Sequence, residues 1–158
     1  MAKKATAHDA RLILELYDLR REAEMRKARS WFGAEFWPQS ADELIKLANS
    51  FPSQENAWMR QVSGYWDMAA SFVLRGALNE ELFLEPGCSG EMFFIFAKVY
   101  PFLKEFREKT NNPSAFANIE KVATTSKTAR KRLERVSKNV ENRRKALSKT
   151  ATKAATKG

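Results

Sequence analysis

Apolar residues along this chain recur every three or four positions, and convincing two-residue alternation is absent, so the pattern predicts helices. Thr6 and Asp9 stand three apart as a capping pair ahead of Leu12, Ile13, Leu16, Tyr17, Leu19 and Ala23. Together they predict a long first helix running to about Phe36. Trp37-Pro38 should stop it, because a residue before proline is pushed away from helical angles. Ser40 and Glu43 have capping-box spacing and open a short helix carrying Leu44, Ile45, Leu47 and Ala48, ending near Asn49. Ser53 is placed to cap a third helix through Trp58, Val62, Tyr65, Trp66, Ala69, Phe72 and Val73, closed by Arg75-Gly76. That helix is apolar around most of its circumference, which predicts a central element, with Gly64 letting another helix approach closely.

Asn79 to Glu85 predicts a short helical turn carrying Leu82, Phe83 and Leu84, broken by Pro86-Gly87. Met92 to Lys109 predicts an aromatic helix that Pro101 should kink or split. Asn112-Pro113 reads as a further start, with asparagine as cap and proline at the first helical position. From there an apolar stripe continues through Ala115, Ile119, Val122, Ser126, Ala129, Leu133, Val136, Val140, Arg143 and Leu147. The core helix can thus run on, with Thr124-Thr-Ser-Lys-Thr as its weak point because hydroxyl and β-branched residues lower helix propensity. Beyond Ser148 the Lys/Ala/Thr sequence is low in complexity and is expected to be disordered when free. The expectation is an all-α protein: one compact multi-helix domain over 1–123, and a basic helical extension over 124–158 ending in a disordered tail.

Charge changes this picture. The net charge is +9, yet residues 124–158 hold 12 Lys or Arg against only Glu134 and Glu141, while 1–123 holds 16 basic and 17 acidic residues. The surplus suits contact with an anionic surface, and the candidate polyanion-binding residues are Lys127, Arg130, Lys131, Arg132, Arg135, Lys138, Arg143, Arg144, Lys145 and Lys149. DNA or RNA is the partner such a segment fits, largely without sequence specificity, since phosphate contacts position and base contacts specify. Engagement of six to ten cations would give a log-log salt slope of roughly −5 to −9. No residue of 124–158 is aromatic, so base stacking is not indicated. Two alternatives stand beside this reading. The charge can be a solvated extension, or the apolar stripe can be a seam for a protein partner or a homo-oligomer, with Arg143 counting against a strong coiled coil. A membrane surface is disfavoured, because Leu133, Val136, Val140 and Leu147 make a thin face for insertion.

Catalytic chemistry finds little purchase. The single histidine, His8, lies on the entry to the first helix, poorly placed for a Cys-His or Ser-His pair, and the single cysteine, Cys88, cannot form an internal disulfide, which fits a cytoplasmic setting. One Cys and one His give no zinc spacing, no carboxylate cluster resembles a di-iron or calcium motif, and no cofactor is expected. Met1-Ala-Lys-Lys-Ala-Thr is followed by no apolar segment, so no signal peptide is expected, nor any membrane span. Gly87-Cys-Ser-Gly90 precedes an expected helix and can lend Cys88 some thiolate character, or be simply a loop with a capping serine. Asp67 sits in an apolar context and needs a partner; a structural ion pair with Arg20, Arg21, Arg26 or Arg29 is expected. Trp31, Phe32, Phe36 and Trp37 are expected in the core, or on a partner-binding patch if exposed. The expected function is non-enzymatic binding or scaffolding, with an enzyme of unrecognised type as a third reading that a pocket around Asp67 would favour.

Three segments carry a family likeness: Tyr17-Asp-Leu-Arg-Arg with Met25-Arg-Lys-Ala-Arg-Ser-Trp-Phe32, then Glu55-Asn-Ala-Trp-Met-Arg-Gln-Val-Ser-Gly-Tyr-Trp-Asp-Met-Ala-Ala70, then Gly76-Ala-Leu-Asn-Glu-Glu-Leu-Phe83. They resemble a family of small bacterial all-helical proteins that carries only a domain-of-unknown-function label, over about Asp9 to Val122. The resemblance implies a bacterial setting and a helical fold, and no catalytic residues.

Overall fold

The computed structural model of the protein describes residues 4–155, and every regular element among them is helical. Helix α1 (Ala7–Leu19) opens on the expected capping box: the Thr6 amide donates to the Asp9 carboxylate at 2.8 Å, and the Asp9 amide donates to Thr6 Oγ1 at 3.3 Å. The single long helix expected here is in fact two. The chain turns at 20–22, and α2 (Ala23–Ala34) starts anew with the Glu22 carboxylate accepting from the Met25 amide at 2.8 Å. α3 (Ala41–Ala48) and α4 (Gln54–Leu74) begin at Ser40 and Ser53, whose hydroxyls accept from the amides three residues on, and α4 ends before Gly76 at φ +72°. α5 (Glu80–Phe83) is capped by Asn79.

The prolines punctuate the next segments, not always as expected. α5 ends before Pro86 as expected, but the next helix, expected from Met92, already starts there: Pro86 is the first residue of α6 (Pro86–Val99), where its missing donor would have had no partner anyway. Pro101 does split its helix, through a 3-10 turn (Tyr100–Phe102) into α7 (Leu103–Thr110). Asn112-Pro113 is not a helix start: 113–116 form turns, and α8 (Ala117–Thr125) begins only after Phe116, which adopts a left-handed φ of 56°. Ser126 is extended at ψ 154°, as the weak point at Thr124–Thr128 foretold, and α9 (Lys127–Ala155) follows with Ser126 Oγ accepting from the Ala129 amide. The helical backbone of α9 includes 149–155, where disorder was expected; 156–158 lie outside the described residues.

α4 packs against α2, α3 and α8, while α6 packs against α8 and α9. Centrality is therefore shared, and α6 is the more deeply enclosed: from Met92 to Val99 only Phe94 is less than buried. Trp31, Phe32 and Phe36 are core, with Trp37 half-buried beside them. Gly64 is exposed, and a Cβ there would meet nothing within 4 Å, so it marks no close helix approach. The core does not stop at Ala123, because Ala129, Leu133 and Val140 of α9 belong to the same buried cluster. Burying those side chains against α6 and α8 fixes which way α9 faces.

Candidate polyanion interface

α9 turns one stripe inward. Ala129, Leu133, Val140 and Arg144 are buried, with Val136 and Leu147 partly so. At about 100° per residue, Lys127, Lys131, Arg135, Lys138, Lys145 and Lys149 fall on the opposite side, and all six are exposed. Of these, only Lys145 has a carboxylate within reach, Glu141 at 3.5 Å. A shallow groove along one flank of this face is lined by Lys131, Arg132, Arg135 and Lys138 together with the acidic Glu134 and with Pro86.

The remaining four candidates stand apart from that face. Arg130 is exposed but donates from Nη1 to the carbonyls of Thr124 (3.1 Å) and Thr125 (2.7 Å), closing the end of α8. Arg132 is half-buried, with its guanidinium 5.2 Å from the Phe93 ring centre and Nη1 donating to Ser89 Oγ at 3.4 Å; burial, with Arg135 nearby, lowers its pKa. Arg143 is exposed on the flank. Arg144 is 7% exposed and is withdrawn from any partner. Its Nε donates to the Pro38 carbonyl (3.2 Å), Nη2 to the Lys98 carbonyl (2.9 Å) and Nη1 to Glu141 (2.9 Å). The stripe expected to carry Arg143 inward thus carries its neighbour, and the seam imagined for a second copy is covered by α6 and α8 of the same chain.

Under Arg144 lies Lys98, fully buried. Its ammonium donates to the Phe32 and Gly33 carbonyls at the end of α2 and sits 3.7 Å from the Trp37 ring centre and 4.3 Å from that of Phe94. Burial, with the Arg144 charge beside it, pulls its pKa down to about 7. The place of Lys98 inside the longest apolar stretch of the sequence, Met92 to Leu103, is the local signal of this burial, while its partners on α2 are far away in sequence. With no exposed surface of its own, Lys98 ties α6 to the end of α2.

Asp67 does not form the expected ion pair. Its carboxylate accepts from the Asn118 amide (3.1 Å), the Ile119 amide (3.3 Å) and Asn118 Nδ2 (2.7 Å). α8 has no side-chain cap of its own, and Asp67 supplies one from α4. Arg20 and Arg29, offered as its partners, converge instead on Glu91, with Arg20 Nη2 at 2.5 Å and Arg29 Nε at 2.8 Å from Glu91 Oε2.

Cys88 lies within the first turn of α6, and burial together with the Glu85 charge raises its thiol pKa, the opposite of an activated thiolate. His8 is exposed on α1. Among the described residues no group of three or more His, Cys, Asp or Glu is placed to hold a metal ion, and no helix is long and apolar enough to cross a membrane.

No curated protein and no solved structure matches the chain. The family described as a domain of unknown function, DUF4760, matches residues 5–126, from the capping box of α1 to the extended serine before α9. That span takes in the helices packed around α4 and α6 and leaves the cationic helix outside it, and on this match the chain belongs to the DUF4760 family.

Proposed function

We propose that the protein is a non-enzymatic binding module whose α9 outer face contacts duplex nucleic acid through its phosphates. The observation that carries this reading is the separation of α9 into a packed stripe and an exposed cationic one, Lys127, Lys131, Arg135, Lys138, Lys145 and Lys149, with a single weak ion pair among them. From Lys127 to Lys149 the helix rises ~33 Å, close to the ~34 Å of one duplex turn. A straight cationic rod of that length can cross or follow a groove while touching several phosphates. Without aromatic side chains or a base-reading fork fixed in place, it supplies affinity and little specificity.

Arg144, Arg132 and Arg130 hold contacts within the chain and Arg143 lies off the outer face, which leaves six of the ten candidate cations on that face and a salt slope of about −5. Removing everything after Ala123 would strip Ala129, Leu133 and Val140 from the core, so the informative comparison is charge neutralisation. Replacing Lys127, Lys131, Arg135 and Lys138 by Gln should weaken duplex binding and bring the slope towards about −2, with the far-ultraviolet spectrum unchanged. Equal affinity of the two proteins at low salt would remove α9 from the mechanism.

A further inference from the structure

A second basic feature lies away from α9. α2 and α6 leave between them an open groove of about 650 Å³, with Arg26, Arg29 and Gly33 on one wall, Gly90, Glu91 and Phe94 on the other, and Arg20 at one end. Three guanidinium groups and one carboxylate line it, so two positive charges have no carboxylate within the groove itself. Glu91 binds both Arg20 and Arg29, and Arg20 is held further by the rings of Tyr17 and Trp66, 5.5 and 5.2 Å away. Those guanidinium groups are fixed before any ligand arrives. Arg29 uses Nε on Glu91 and Nη1 on the Arg20 carbonyl, which leaves Nη2 without a protein acceptor. Arg26 is exposed and holds no carboxylate; Glu22, whose charge it feels, turns its own carboxylate onto the Met25 amide.

Gly33 and Gly90 lie in helices on opposing walls of the groove, and a Cβ at either would meet nothing within 4 Å, so both walls are bare at these positions. The groove is open rather than enclosed, and Phe94 offers an aromatic surface in it.

We propose that this groove binds a small phosphate monoester with a compact apolar or aromatic body. The two charges with no carboxylate in the groove match a phosphate dianion better than a single carboxylate, and the free Arg26 and Arg29 donors suit its oxygens.

Phenyl phosphate titrated into the full chain, followed by the Gly33 and Gly90 amide resonances, tests this. Saturable shifts at both amides are expected, with benzoate at least about fivefold weaker and phenol without effect. Arg26→Ala, at an exposed position, should raise the dissociation constant about tenfold, and Gly90→Leu should abolish binding with the helical spectrum retained. The α9 variant described above should keep the Gly33 and Gly90 response, so loss of duplex binding and loss of this site are separately readable. Shifts that never saturate, or that vanish with the α9 charges while Arg26→Ala leaves them intact, would overturn the assignment.

Discussion

Lys98 shows how a residue that looks ordinary in sequence becomes a determinant of stability. Between a folded pKa of about 7 and an unfolded value near 10.4, the unfolded chain holds a proton here that the folded chain does not. Stability should therefore rise with pH across that window, by at most about 1.4 kcal/mol per unit for this group, and be indifferent to it below pH 7. Urea midpoints at pH 7, 8 and 9 should climb, and Lys98→Met should flatten the climb. A steeper rise in the variant would contradict the account. The trend is opposed by Cys88 from about pH 8.5, since burial raises its thiol pKa, and above pH 10 by Tyr65, which burial lifts to about 12, so the step from pH 7 to 8 is the clean one. Asp67 acts at the same scale. Asp67→Ala should cost about 1–2 kcal/mol in a urea titration by uncapping α8, and Asp67→Asn less, because an amide oxygen still accepts. Equal losses for the two would indicate that the charge, not the cap, is what matters.

Elements that carry their own punctuation were legible in the sequence, and those that borrow it were not. Ser40, Ser53 and Gly76 lie within four residues of the backbone groups they serve, so local spacing located α3 and α4. The break at 20–22 carries neither proline nor glycine. It is marked by Glu22 capping its own helix and by Arg20 turning to Glu91, 71 residues away, which no local pattern reveals. α8 borrows Asp67 from α4 for the same reason. The inward stripe of α9 was read in phase through Ala129, Leu133, Val136, Val140 and Leu147, and only Arg143 was misplaced, by one residue, because steps of three and four are interchangeable in a sparse stripe and Arg144 finds three acceptors.

Arg144→Met should lower stability by about 2–4 kcal/mol, since the Pro38 and Lys98 carbonyls lose a charged donor. It should also raise the Lys98 pKa and reduce hydrogen-exchange protection in the second half of α9. Retained protection would mean that α9 is held without this clasp. Gly64→Ala, by contrast, should stabilise by up to about 1 kcal/mol, because the site is exposed, helical and open around a Cβ. A cooler thermal midpoint would show a packing role that the geometry does not contain.

At the scale of the molecule, the nearly neutral helical body orients a cationic helix. The same apolar residues that could have joined two copies instead dock α9 on α6 and α8, and that docking presents Lys127, Lys131, Arg135 and Lys138 together on one exposed face. A solvated tail would carry the same charge with no such face, and its contribution to binding would be indifferent to which lysines are removed. The direct measurement is duplex DNA affinity against salt for the full chain, for the four-residue α9 Gln variant, and for a variant in which four cations elsewhere, Arg11, Arg60, Lys104 and Lys121, become Gln. The account predicts a log-log slope near −5 for the full chain, close to that for the control variant, and near −2 for the α9 variant. Equal slopes for the α9 and control variants would contradict it.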